Sequence, residues 1–226
     1  MKPLFLISYF AFLLYYFSLP AYASQWHTEL DTVPVTDDTS IDMELSDVEI
    51  RNKSISCFGV NQNGYYAIGF ASSPKNIVSV YNSEKEFLYG YRFPCDGTFS
   101  IELTDNNTLL LYLTRSSLLA EFDEQGQCLY IAQVPVSRSN MYYIRDVFES
   151  THKTAGYLSY ALERDFPIGP TYSRLVMVDA QGNEHMLYDV TPEHTIVNAV
   201  ACAVVIALVF FAARAAIKDT INRENM

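Results

Sequence analysis

Three stretches, VYNSEKEFLYGYRF at residues 80–93, EFDEQGQCLYIAQV at 121–134 and MVDAQGNEHMLYDV at 177–190, align without a gap. In each, an apolar end leads into Asn82, Asp123 or Asp179, and Asp123-x-Gln-Gly126 recurs as Asp179-x-Gln-Gly182. Asn and Asp favour such turns because their side chains bond the backbone two residues on. The match therefore reads as one hairpin used three times. The spacing is 41 residues from Asn82 to Asp123 and 56 from Asp123 to Asp179, and the surplus falls around residues 164–170.

Outward from these hairpins, alternating or β-branched and aromatic runs recur, and no stretch has a clear 3.6-residue period. Strands are expected at 54–60, 65–70, 76–82 and 86–93, then at 98–104, 108–115, 117–123 and 128–134. A third group is expected at 141–148, 156–164, 173–180 and 184–190. The expected fold is all-β: stacked four-stranded antiparallel repeats, propeller-like or open. Such units bury both faces only by stacking, so residues 40–190 are expected to fold as one body from which the unit at 98–137 can be removed.

A unit of about 40 residues with an apolar-Asp-x-x-Gly hairpin resembles the blades of β-propellers of the NHL or quinoprotein-like kind. The resemblance spans residues 54–190, without a Trp-Asp signature or a Gly-His pair. Three units fall short of the four to eight blades of a closed ring. An open stack, a ring completed by another chain, and a sandwich or barrel whose meander mimics blades all remain open.

The ends carry different signals. Lys2, the apolar run at 4–19, Pro20 and the Ala21-x-Ala23 site are the parts of a secretory leader over residues 1–23, with an uncleaved anchor as the alternative. Residues 196–213 hold no charge, and 195–217 suffice to cross a bilayer as helix. Arg214, Lys218 and Arg223 follow this run, which places the 218–226 tail in the cytoplasm and the 40–194 β-domain outside. In the span, Ala199, Ala203 and Ala207 repeat every four residues beside Asn198 and Cys202, a face suited to helix association.

Charge narrows the partners. Setting aside Asp219 and Glu224 leaves 24 acids in residues 24–194, against 11 Lys and Arg, a balance of −13. Such a surface repels phosphate backbones, so nucleic acid is not expected. Residues 28–50 hold eight acids and no base; 24–39 read as an acidic linker, and Ile41, Met43 and Leu45 alternate as a first strand within 40–50.

Chemistry is sparse. Cys57, Cys95, Cys128 and Cys202 have no CxxC spacing, so no metal site and no cofactor is expected, and at most one internal disulfide. No Gly-x-Ser-x-Gly elbow occurs, and His152, His185 and His194 read as surface residues. Glu84 with Glu86, Asp123 with Glu124, and Asp105-Asn106-Asn107 read as solvated turns. Tyrosine is abundant, with 17 in the chain. Tyr65, Tyr66, Tyr89, Tyr91, Tyr142 and Tyr143 are candidates for an aromatic binding surface, against the plain reading as strand packing.

The sequence thus points away from an enzyme, towards a single-pass membrane protein whose external β-domain binds a protein partner or a second copy. An accessory subunit of a larger membrane complex is the alternative, and an exported glycan-acting enzyme the third reading. An inward acid cluster would favour the enzyme, an uncovered sheet edge the subunit, and an aromatic patch the binding module.

Overall fold

The computed structural model describes residues 28–35, 39–164 and 171–190. The expected leader, the expected span with Asn198, Ala199, Cys202, Ala203 and Ala207, and the expected tail lie outside the described residues. Among the described residues no helix is long and apolar enough to cross a membrane.

The described chain is mostly β, in three antiparallel sheets. The first unit is a meander of β3 (Cys57–Val60), β4 (Tyr66–Phe70), β5 (Asn76–Tyr81) and β6 (Phe87–Phe93), with β2 (Glu44–Ser46) added outside β6. The second is β7 (Phe99–Leu103), β8 (Leu109–Leu113), β9 (Leu118–Phe122) and β10 (Cys128–Gln133), with β1 (Val33–Pro34) added outside β10. The third is β11 (His152–Ala155), β12 (Leu158–Glu163), β13 (Arg174–Val178) and β14 (Glu184–Asp189).

Every window expected to hold a strand does so except 141–148. That segment is instead the helix α1 (Arg138–Tyr143), continued by a π-helical turn (Ile144–Phe148). Its apolar residues Tyr143, Ile144, Val147 and Phe148 recur at helical spacing and lie on the second sheet. The first strand of the third unit is β11, further along the chain. Two other readings also need correction. Within 40–50 only three residues pair as strand, and Leu45 faces solvent. The expected linker is partly folded: Leu30 is buried under α1, and Val33 and Pro34 pair with Gln133 and Ala132. A few apolar residues inside an acidic run suffice for that docking, and the average composition hides them.

Burial explains the texture of each sheet. One apolar cluster joins the first sheet to the third, through Phe58, Ile68, Tyr160 and Leu175. Another joins the first to the second, through Val78, Tyr91, Ile101 and Leu111. A third lies between the second sheet and α1. The layers therefore run third sheet, first sheet, second sheet, helix. Strands buried on both faces need no polar alternation, and β4, β5 and β8 are buried throughout. The third sheet has one wet face, so β12 and β14 alternate.

The hairpins share one design. In the turns headed by Asn61, Asn82, Thr104, Asp123 and Asp179, the head's side-chain oxygen accepts two backbone N–H bonds, from residues two and four ahead. The fourth residue is left-handed: Gly64, Lys85, Asn107, Gly126 and Gly182 have φ between 63° and 84°. This is the three-residue hairpin with a bulge. The aligned Asp-x-x-Gly motif is thus a shared local solution, and it occurs also where the sequence carries Asn or Thr.

Candidate functional site

The three units meet along their first strands. At Gly59 of β3, a Cβ would stand 2.9 Å from the Glu102 Cα and the Leu103 nitrogen of β7, so only glycine permits this approach. Beside it, Lys153 of β11 reaches across to pair with Glu102, and its ammonium lies 5.2 Å from the centre of the Phe58 ring. Burial pushes the Glu102 carboxyl above its ordinary value, while Lys153 and backbone amides oppose the shift. One polar link therefore joins all three units.

The turns at one end of these strands are also tied together. Asn61 donates to the Thr104 carbonyl at 3.0 Å and to Asn107 Oδ1 at 2.9 Å, Gln62 N–H donates to Asp105 at 2.9 Å, and Gly156 N–H donates to Gln62 at 2.9 Å. At the other end, a cavity of about 330 Å³ opens among Cys57, Phe99, Phe148, Thr151 and Tyr172. Its thiol is not a poised nucleophile: burial pushes Cys57 up to about 12. Cys57, Cys95 and Cys128 are all free thiols.

A second concave surface lies elsewhere, beside α1. Ser137 caps this helix by accepting the Asn140 N–H at 3.1 Å. The Asn140 side chain, buried, accepts from Asp31 N–H and donates to the carbonyls of Asp31 and Pro135, each at 2.9 Å. These bonds and the apolar face fix the helix against the second sheet. Its outer face is left to solvent, where Met141 is 63% and Tyr142 45% exposed, next to Val136 at 88%.

Between this face and β8 runs a groove of about 650 Å³, lined by Tyr112, Thr114, Arg138, Met141, Tyr142, Ile144, Arg145 and Glu149. Two arginines approach the Tyr142 ring, with the Arg138 guanidinium carbon 5.6 Å and that of Arg145 4.9 Å from the ring centre. Arg138 also donates to the Tyr142 hydroxyl at 3.3 Å, and Arg145 pairs with Asp146 at 2.8 Å. Arg138 and Arg145 are here matched by Asp146 and Glu149, so the surface is mixed in charge beside exposed apolar atoms.

The six candidate tyrosines do not make one surface. Tyr66 and Tyr91 are buried at 2% and 0%, Tyr66 stacked on Tyr81 and Tyr91 donating to the Asp123 carbonyl at 2.7 Å. Tyr65 and Tyr89 are half-buried against the core between the first two sheets. Burial pushes the Tyr89 phenol up to about 12. Only Tyr142 is exposed, with Tyr143 half-buried beneath it. The first four lie on sheets covered from both sides, which is where tyrosine serves as packing.

The remaining candidates stay apart. His185 pairs with Asp179 at 3.0 Å and, with Asn183, holds that carboxyl well below the usual range, but the pair sits at a hairpin end. Among the described residues no group of three His, Cys, Asp or Glu gathers. The groove residues Arg138, Met141 and Arg145 were not singled out in the sequence. The available signal was Ser137 followed by Asn140 and then apolar residues at 143, 144, 147 and 148. No protein-family model, curated protein or solved structure matches the chain.

Proposed function

We propose that this chain is a single-pass membrane protein whose external β-domain works as a binding module, docking a protein partner in the groove beside α1. The observation that carries this reading is the exposed Met141–Tyr142 face beside two guanidiniums, on a domain whose balance is −13. Exposed aromatic and methionine side chains with arginine are what protein-binding surfaces concentrate. The complementary partner is a polypeptide segment that places a carboxylate near Arg138 and Arg145 and an apolar side chain against Met141.

The anchoring part rests on the sequence: the leader at 1–23, the apolar run at 195–217 and the basic residues after it. The units are read as propeller-like blades. Supporting this are the four-strand meanders and the convergence of β3, β7 and β11 at Gly59, Glu102 and Lys153.

A photoreactive amino acid placed at Tyr142 of the full chain in its native membrane should form a discrete crosslink to one protein. Arg145→Glu in the same chain should abolish it, and the same probe at Tyr157, 90% exposed on the third sheet, should not form it. A crosslink that survives Arg145→Glu, or none at position 142, would contradict the reading.

A further inference from the structure

In the first two sheets the outermost strand of the meander takes one more strand from the N-terminal segment: β2 lies antiparallel on β6, and β1 on β10. In the third sheet β14 is the outermost strand, and among the described residues no strand lies beyond it. The ladder shows which groups face outward. Asp179 N–H donates to the Asn183 carbonyl at 3.0 Å, which turns residue 183 towards β13. Antiparallel alternation then turns His185 inward as well, and sends the N–H and C=O of Glu184 and Met186 outward.

The first sheet indicates the chemistry of the missing strand. Glu44 of β2 stands opposite Arg92 of β6, so the added strand matches its bed in charge. β14 has Glu184 and Asp189 exposed at its two ends, an exposed Met186 between them, and no Lys or Arg. Asp189 is faced by Arg174 of β13, whereas Glu184 is faced by Val178, so Glu184 is the end where an added strand meets an acid with no base across from it on β13. We infer that the outer edge of β14 at residues 184–187 accepts an extended basic strand of a partner protein, lysine or arginine opposite Glu184 and an apolar residue opposite Met186. Backbone bonds supply affinity in this mode of recognition and the alternating side chains supply choice.

The test uses the full chain in detergent micelles and a short capped peptide of alternating lysine and valine as the probe. Hydrogen exchange followed by mass spectrometry should slow by about tenfold across residues 184–187 when the peptide is added. The matching glutamate–valine peptide should have no effect. Met186→Pro removes an outward N–H and should lose the protection. Should that variant not fold, Glu184→Lys should exchange the response to the two peptides. No slowing with the lysine peptide, or equal slowing with both, would overturn the proposal. Arg145→Glu should leave the protection intact, so failure here and failure at the α1 groove are read separately.

Discussion

Lys153 and Glu102 lie 51 positions apart in sequence, and each has most of its side chain removed from water. An ion pair of this kind contributes little net stability, but removing one partner strands the other charge. Lys153→Met is therefore expected to destabilise the domain by about 3–5 kcal/mol, whereas Lys153→Met with Glu102→Leu recovers most of that loss. Urea unfolding of the two variants measures the difference. The pH dependence has a definite sign. The folded-state pKa of Glu102 is already raised by burial, and without Lys153 it rises further. A raised carboxyl contributes stability below its unfolded value and loses it as pH climbs through the folded value. Lys153→Met should thus be closest to the parent in mild acid and fall behind towards neutrality. The pair was not legible in the sequence, because residues 141–148 read as the strand that β11 in fact supplies, leaving Lys153 in a connection. Tyr66 and Tyr91, by contrast, were legible as strand residues, and their burial follows from sheets covered on both faces.

The hairpins were the most legible elements, because an Asx side chain, a left-handed residue and flanking apolar runs are all local. Thr104 and its turn show the limit: the same geometry forms without Asp or Gly, so the motif alone undercounts it. The helix α1 was the least legible. Its segment carries Tyr142, Tyr143, Ile144, Val147 and Phe148, residue types that suit strands, and only the cap and the spacing of the buried residues favour a helix. Ser137→Ala should cost about 1 kcal/mol through the lost cap. Asn140→Ala should cost more, since it leaves Asp31 and Pro135 groups without their partner, and it should free Leu30 and β1 together. Hydrogen exchange at residues 30–34 and 138–148 reads both effects, and protection unchanged in Asn140→Ala would contradict the docking of the N-terminal segment on α1.

Grouping in fours was legible from the repeat, but the layering was not. In β14 the burial alternates while the sequence Glu184-His185-Met186-Leu187-Tyr188-Asp189 does not, and β7 of the covered second sheet alternates in sequence as Phe99-Ser100-Ile101-Glu102-Leu103. What no local pattern disclosed was that the third unit packs on the first, since the segment that carries the chain back is the one misread as a strand. The layering also bears on deletion of the unit at 98–137. That deletion would uncover the face of the first sheet bearing Val78, Val80 and Tyr91 and leave α1 without a bed, so cooperative unfolding should be lost. The proposed docking of a partner beside α1 on an external domain is tested by thiol labelling in a Cys95→Ser, Cys128→Ser chain carrying either Met141→Cys or Tyr157→Cys. A membrane-impermeant maleimide added to intact cells should label position 157 rapidly and position 141 slowly, and purification should make the two rates equal. Equal rapid labelling of both in intact cells would contradict docking at the groove, and labelling of neither would contradict the external placement.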